Sequence, residues 1–209
     1  MKTISRVVFL AMLAGCCYLA LFAQEKAAPA KPKAAKPASQ APAMPMPKPA
    51  SEITKLIKTL SGNWNVMEKH EKNPMMPNGG EGKGTAKIWA GPGGLSLMEN
   101  YTSTGAMGSF KGMGTWWWDP KAQIFHGLWC DNMTPNGCDT SGSTKWEGDN
   151  LVGTMQADMG GGQMMMMRFT YSDMKPDSFV MTMEMGPDAS KLEKSATFTY
   201  TRAAAPAKM

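Results

Sequence analysis

Residues 179–185 read Phe-Val-Met-Thr-Met-Glu-Met, and this stretch carries the pattern that decides the fold. Large apolar side chains occupy every second position, so they lie on one face of a β-strand, whose side chains have a period of two. Residues 173–177 before the stretch and residues 186–188, Gly-Pro-Asp, after it are rich in turn formers. The pattern predicts one strand bounded by two turns.

The same unit recurs along most of the chain. Runs of strand length are separated by segments rich in Gly, Pro, Asn and Asp, and they lie near residues 63–71, 83–90, 95–103, 108–118, 122–130, 138–146, 150–157, 163–171, 177–185 and 192–202. Ten hairpin-sized strands in series predict a mainly β protein, either a single antiparallel up-and-down β-barrel or a sandwich. The run at 122–130 is apolar on both faces over much of its length, which favours a closed or covered sheet.

One short α-helix is expected before the strands. Apolar residues recur at helical spacing, at Ile53, Leu56, Ile57 and Leu60. Ser51 followed by Glu52 is typical of a helix N-cap, and Gly62 ends the pattern. Because the helix is short, packing against the strands must stabilise it.

The N-terminal 50 residues predict an exported chain. Lys2 and Arg6 precede an apolar run that ends at Ala23, which is the pattern of a signal peptide over residues 1–23. A transmembrane anchor is the alternative, because the run has about 17 residues, near the minimum for a span. Residues 24–50 are rich in Ala, Pro and Lys and predict a disordered linker. The folded domain then covers 51–203, and 204–209 form a disordered C-terminal tail.

Two processing sites compete in the signal segment. Cleavage after Ala23 would remove Cys16 and Cys17 and leave a periplasmic or extracellular protein. Residues 13–16, Leu-Ala-Gly-Cys, instead resemble the lipobox of bacterial lipoproteins, in which an acylated Cys16 would anchor the protein to a membrane. We favour cleavage after Ala23, because lipoprotein processing would cut the apolar segment in half.

The positive charge belongs to the segments that are expected not to fold. The chain has a net charge of +5, but residues 51–209 carry 15 basic and 16 acidic side chains. A nucleic-acid partner needs a basic face on the folded body, so we predict none. The Lys- and Pro-rich linker is either a solvated spacer or a cationic contact to an anionic cell-envelope surface.

Four motifs resemble known barrels. Residues 61–64, Ser-Gly-Asn-Trp, resemble the opening of lipocalin-like (calycin) barrels, and residues 198–202 resemble their last strand with its closing Arg. Together with residues 112–119 and Trp-Cys-Asp at 129–131, their order is similar to the bacterial family called domain of unknown function fifteen seventy-nine. The resemblance covers about residues 51–203. It implies a lipocalin-like barrel and brings no known activity.

Physical arguments support a structural role for three of these residues. Gly62 allows the turn from helix to strand, Trp64 can fill one end of a barrel, and Arg202 from the last strand can stack on the indole. We therefore predict that Gly62, Trp64 and Arg202 close the barrel. A surface Arg beside an unrelated core Trp is the alternative.

Cys130 and Cys138 are predicted to form a disulfide. They flank a turn-rich connection, and they are the two thiols that remain after cleavage past Ala23. An exported protein meets an oxidising compartment, which favours the bond. Free thiols or metal binding are the alternatives, although the spacing of the pair is not that of a zinc site.

The candidate ligand-cavity residues are apolar or soft side chains on predicted strands, namely Trp116, Trp118, His126, Met181, Met183 and Met185. Methionine fills irregular interiors and lines adaptable cavities. Thioethers are also soft ligands suited to Cu(I), but in the run Met164–Met167 successive side chains point to opposite faces, so four neighbours cannot bind one ion. His126 is expected to be a hydrogen-bonded barrel residue, with a haem ligand as the alternative.

The sequence contains no catalytic motif that we recognise, and we predict no cofactor and no metal site. The leading hypothesis is a non-catalytic exported barrel that binds a small apolar molecule. Two alternatives stay open. One is a structural or interaction module of the cell envelope with a filled barrel, and the other is a methionine-rich copper-handling protein.

Overall fold

The computed structural model describes residues 45–73, 76–140, 142–158 and 162–204. The predicted signal peptide with Cys16 and Cys17, most of the linker and the tail after residue 204 lie outside these residues. Of the linker, residues 45–50 are described; they form neither helix nor strand, and residues 45–49 are exposed.

The described residues form one α-helix and eleven β-strands, with a short 3-10 turn at Pro92–Gly94. Helix α1 is Ser51–Leu60, and the strands are β1 Gly62–His70, β2 Gly80–Ala90, β3 Ser96–Gly105, β4 Gly108–Asp119, β5 Ile124–Asp131, β6 Cys138–Asp139, β7 Ser143–Glu147, β8 Asn150–Asp158, β9 Met164–Lys175, β10 Ser178–Gly186 and β11 Glu193–Arg202.

The strands close into a barrel. Neighbours along the chain pair antiparallel, β11 pairs with β1, and β5 pairs with both β4 and β7. Ten strands make the closed wall, while β6 has two residues and pairs only with the end of β5. This confirms the predicted up-and-down antiparallel barrel of about ten strands after one short helix.

The predicted strand at 138–146 is divided in two. β6 pairs with Trp129 and Cys130, and β7 pairs with Phe125 and His126. Between these pairs, on the side of β5 that faces β6 and β7, Gly127 and Leu128 have no ladder partner among the described residues. Gly142 has φ +144°, which a residue with a side chain adopts at a cost. The ladder is therefore interrupted between β6 and β7.

Helix α1 begins one residue earlier than an N-cap at Ser51 would allow. The N-cap is Ala50, which follows a proline and is extended, and no side chain caps the helix. The Ser51 hydroxyl donates instead to Glu52 at 2.9 Å, and the Thr54 hydroxyl donates to the Ala50 carbonyl at 2.8 Å. The helix buries Ile53, Leu56 and Leu60, so packing stabilises it.

The inner face of the barrel differs between its two ends. In the half next to α1, which we call the closed half, three inner rings, those of Trp116, Trp118 and Tyr171, are half-buried. The other large inner side chains of this half are almost fully buried: Trp64, Val66, Ile88, Leu97, Phe125, Leu151, Phe179 and Tyr200. In the other half, which we call the far half, rings and methionines on the same face are only half-buried: Phe110, Trp129, Met155, Met167, Phe169, Met183, Met185 and Phe198. The candidate site therefore lies in the far half.

Candidate functional site

Glycines on the inner face make room for large side chains of neighbouring strands. A Cβ at Gly82 would overlap the Glu68 carboxylate, and a Cβ at Gly112 would overlap the ring of Trp129. Glycine is needed at these positions because the larger groups lie directly over the backbone. Alternation of small and large residues fills the barrel interior and leaves little free volume.

Gly62, Trp64 and Arg202 lie together in the closed half, where β1 begins and β11 ends. The Arg202 guanidinium carbon is 4.2 Å from the centre of the Trp64 ring, and the Trp64 indole N–H donates to the Leu60 carbonyl at 2.9 Å. Arg202 Nε also donates to the Pro176 carbonyl at 2.7 Å. Gly62 has φ +155°, and a Cβ there would overlap the guanidinium. This geometry permits a cation–π contact over the buried indole.

A cavity of about 10 Å³ lies between α1 and the inner face, with room for about one water molecule. Its polar lining includes Glu99, which is 6% exposed. Among the described residues no hydrogen bond reaches the Glu99 carboxylate, and burial raises its pKa to about 7. The closed half is thus packed tightly around one carboxyl group that exchanges its proton near neutral pH.

A second buried carboxyl group lies on β1. Glu68 accepts a hydrogen bond from the Tyr101 hydroxyl, and its Oε2 is 3.0 Å from His70 Nε2. Burial raises the pKa of Glu68, but hydrogen bonds with His70, Ser103 and Tyr101 outweigh it and hold the pKa below its ordinary value. We call Glu68, His70, Tyr101 and Ser103 the polar cluster. Its hydrogen bonds keep Glu68 ionised inside the barrel.

A larger cavity, of about 60 Å³, lies along the seam between β5 and β7. In the described residues these strands share two residue pairs, Phe125 with Thr144 and His126 with Ser143. The seam cavity is lined mainly by Gly127, Leu128, Trp129, Met155 and Phe169, together with the carboxyl group of Asp139. Burial, followed by repulsion from the carboxylates of Asp131 and Asp158, raises the pKa of Asp139. The cavity is apolar with a single acidic group.

The methionines on β8, β9 and β10 form a row. Met185 pairs with Met167, and Met167 pairs with Met155, so the three lie opposite one another on the inner face of adjacent strands. We call them the methionine row. Met181 is 8% exposed and belongs to the core, whereas Met183 and Met185 are half-buried in the far half.

The remaining cavity candidates lie on different faces. Trp116 lines the small cavity under α1, and Trp118 packs on Phe125 with 4.9 Å between ring centres. His126 lies on the opposite face of β5 from the buried Phe125. Its Nε2 is 3.2 Å from an Asp119 oxygen, and its ring is 5.7 Å from that of Trp117. The structure therefore brings the two tryptophans to the interior, and it does not bring His126 there.

Cys130 and Cys138 are joined by a disulfide with an S–S distance of 2.11 Å. The bond links β5 to β6 beside the seam. Within the loop it closes, the Asp131 carboxylate accepts hydrogen bonds from the backbone N–H groups of Met133 and Thr134, at 2.7 and 2.6 Å. The two bonded cysteines directly follow Trp129 and directly precede Asp139, which both line the seam cavity.

The sequence patterns do not point to Glu68, Glu99 or Asp139 as site residues. A signal existed for two of them, since Glu68 shares a strand face with Trp64 and Val66, and Glu99 shares one with Leu97. A carboxyl group in phase with apolar residues is expected to be buried. Asp139 had no such signal, because an aspartate at a strand end beside a turn-rich connection is explained by turn capping.

Within the described residues, no group of three or more His, Cys, Asp or Glu side chains could hold a metal ion. In the same part of the chain, no helix is long and apolar enough to cross a membrane.

Solved structures share this fold. The S-type phycobiliprotein lyase CPES from Guillardia theta superposes with a TM-score of 0.54 at 10% identity, over 74% of this chain and 94% of the lyase. Rv2717c from M. tuberculosis superposes with a TM-score of 0.51 at 13% identity, over 75% of this chain and 100% of that protein. At these identities the likeness concerns the fold alone. No curated protein matches the chain in sequence.

A family model described as "Protein of unknown function (DUF1579)" matches residues 49–202. The match runs from just before α1 to the last residue of β11, so it includes the helix and the whole barrel. The family suggested by the sequence motifs is therefore confirmed. The chain belongs to the DUF1579 family of proteins of unknown function.

Proposed function

We propose that this protein is a non-catalytic binding barrel that holds one small apolar ligand in its far half. The observation that supports this is the unequal burial of the inner face. Eight rings and methionines of the far half point into the barrel but stay half-buried, whereas most apolar side chains on the inner face of the closed half are fully packed. A concave apolar surface that the protein does not cover itself is typical of a ligand site.

The seam cavity lies within this apolar surface, and we place the ligand there. Trp129 and Phe169 supply flat apolar walls, Met155 supplies an adaptable one, and Asp139 adds a hydrogen-bonding group. Small-molecule sites combine mostly apolar walls with a few polar groups that orient the ligand. The ligand that fits is mainly apolar and carries one N–H or O–H donor for Asp139.

Cavity volume limits the size of this ligand. About 60 Å³ is well below the roughly 300–1,000 Å³ of pockets for drug-sized molecules. A ligand of more than a few heavy atoms must therefore move side chains. Methionine is suited to this, because its unbranched side chain repacks at low cost.

A filled structural or interaction module is the second candidate. It is favoured by the closed half, where the free volume is about 10 Å³. On this alternative the far half is a partly exposed core, and no ligand enters.

Dye binding separates the two candidates. We expect an environment-sensitive apolar dye to gain fluorescence on the purified protein. Met155→Phe, which adds a ring to the seam cavity, should weaken dye binding at least tenfold, whereas Met166→Phe on the outer face of β9 should leave it unchanged. Met155→Leu, which roughly conserves volume, should stay within tenfold of the wild type. Absence of dye binding to the wild type would favour the filled barrel.

Export is part of the same proposal and rests on residues 1–23. Cleavage after Ala23 would release the barrel on its Lys- and Pro-rich linker into the periplasm or the extracellular space. N-terminal sequencing of the protein purified from its native host should begin at or near Gln24. A chain that begins at an acylated Cys16 would make the protein a membrane-anchored lipoprotein, and retention of Met1 would exclude export.

A further inference from the structure

We propose that the methionine row binds one soft monovalent metal ion, Cu(I) or its analogue Ag(I), on the inner face of the far half. The ligands are the thioether sulfurs of Met155, Met167 and Met185. This ligand class goes beyond the apolar molecule proposed above, but Met155 contributes to both sites, so the two proposals need separate measurements.

The strand register places the three residues side by side. Met155 on β8 is the partner of Met167 on β9, which is the partner of Met185 on β10. Directly opposite residues on one face have Cβ atoms roughly 4.5–5.5 Å apart. Met167 is the central member, and the other two flank it from the neighbouring strands. Three flexible side chains from this row can converge on one point above Met167.

An ion pair on the outer face holds the register at this level. Arg168 donates to both carboxylate oxygens of Glu184, at 2.6 and 2.8 Å. These residues directly follow Met167 and directly precede Met185 in their strands. Because side chains alternate, an outer pair at 168 and 184 sends the side chains of Met167 and Met185 to the inner face.

The chemistry of the row selects the ion. Thioethers are soft ligands, which favour Cu(I) over hard cations such as Mg²⁺ or Ca²⁺. They are also neutral, so they leave the charge of the ion uncompensated, and in a half-buried site this cost is lower for a monovalent than for a divalent ion. In the part of the chain that the structure describes, the thiols and imidazoles that could compete for the ion have other partners: Cys130 and Cys138 form the disulfide, His70 contacts Glu68, and His126 contacts Asp119.

The methionine row also differs from the run Met164–Met167, whose four consecutive residues cannot all bind one ion. Neighbours in that run alternate between faces and cannot share an ion. The site takes one residue from the run and adds one from each neighbouring strand. Met164 and Met166, which alternate with Met165 and Met167, belong to the outer face, and Met164 is half exposed. They supply a matched control in the same strand.

The test is a titration of the purified protein with Ag(I) in chloride-free buffer, followed by native mass spectrometry and calorimetry, and by Cu(I) competition against a chromophoric chelator. We expect one tightly bound ion in the wild type and in the control Met164→Leu/Met166→Leu. In Met155→Leu/Met167→Leu/Met185→Leu the affinity should fall at least a hundredfold. Should that variant not fold, Met167→Leu alone must lower the affinity at least tenfold.

Three results would overturn the metal site: no tight binding in the wild type, equal losses in the inner and outer variants, or unchanged affinity in the inner variant. Dye binding is measured on the same proteins. Leu conserves volume and hydrophobicity, so the inner variant should still bind the dye. Loss of metal binding with retained dye binding in the inner variant supports both sites. Dye binding without tight metal binding in the wild type would leave only the apolar pocket, and metal binding that depends on the row in a protein that binds no dye would leave only the metal site.

Discussion

The closed half and the far half of the barrel each bury a glutamate, and the two carboxyl groups behave in opposite ways. Glu99 in the closed half and Glu68 in the polar cluster are both 6% exposed. The pKa of Glu99 is raised to about 7 by burial, whereas hydrogen bonds with three neighbours hold the pKa of Glu68 below its ordinary value. Equal exposure therefore goes with pKa shifts in opposite directions, because hydrogen bonds to the charged form decide the sign.

The apolar residues show a second difference between the halves. In the closed half the rings of Phe179 and Tyr200 stack with 4.1 Å between centres, and Trp64 meets Phe179 edge-on at 4.8 Å. In the far half Phe110 and Trp129 are stacked at 6.4 Å and remain half-buried. The closed half is thus the more tightly packed one, and the far half leaves apolar surface partly exposed.

The largest expected effect compares one phenylalanine from each half. Phe179→Ala should lower the free energy of unfolding by about 3–5 kcal/mol, the usual cost of removing a fully buried ring. Phe169→Ala should cost roughly half as much, because that ring is half-buried. Urea denaturation of both variants measures the difference. Equal losses would mean that the far half is packed as tightly as the closed half.

The pH dependence of stability tests the two glutamates. The pKa of Glu99 is about 7 in the folded protein and has an ordinary value of 4.5. Its contribution is therefore fully present below pH 4.5 and is lost as the pH rises to 7. At roughly 1.4 kcal/mol per pKa unit, the wild type should lose about 3 kcal/mol across this window relative to Glu99→Gln. Unfolding measured from pH 4 to 8 checks this.

Glu68→Gln is the matched control, and its effect on stability should change with pH in the opposite direction. The lowered pKa of Glu68 means that its contribution is present above its ordinary pKa and is lost as the pH falls through the folded value. Glu68→Gln should thus be less stable than the wild type at pH 7, and the deficit should shrink in acid. If both variants change with pH in the same direction, the contrast between the halves is wrong.

The disulfide beside the seam should contribute somewhat less. A bond between residues eight positions apart stabilises by roughly 2–3 kcal/mol in the chain-entropy description. Cys130→Ser/Cys138→Ser should lose about this amount and should also change dye binding, because the bonded residues are adjacent to Trp129 and Asp139, which line the seam cavity. Thiol counting on the denatured, unreduced wild type should find no free thiol from this pair. Two reactive thiols would refute the bond.

The smallest expected effect is that of replacing Arg202, which lies over Trp64 in the closed half. Arg202→Ala removes the cation over the Trp64 ring and should cost about 1–2 kcal/mol, which is several degrees of melting temperature in a domain of this size. Arg202→Lys keeps a cation and should recover part of the loss. Calorimetry measures both variants. A neutral Arg202→Ala would show that the indole is covered without the guanidinium.

Much of the architecture could be predicted from local patterns. Apolar alternation over 179–185 and turn residues at 186–188 define a strand and its end, because the period of two and the turn chemistry are properties of a few consecutive residues. The same reasoning located ten strands and the helix. Cys130 and Cys138 could be paired because they flank one short turn-rich connection.

The candidate site could not be predicted in the same way, because it depends on which residues of different strands lie next to each other. The sequence separated the Phe125 and His126 faces of β5 but could not say which face points inward, because both are apolar. The seam cavity lies where the pairing of β5 with β6 and β7 is interrupted, and this interruption follows from the register of the three strands. The methionine row likewise requires three strands to align Met155, Met167 and Met185.

The sequence by itself therefore determined the kind of fold, the order of its strands and the family, since each of these follows from local periodicity and short motifs. Only the tertiary structure decided which side chains share the interior and how Glu68 and Glu99 are ionised. Burial, cross-strand register and hydrogen-bond partners are set by residues far apart in the chain, and the pattern of a single strand contains no information about them.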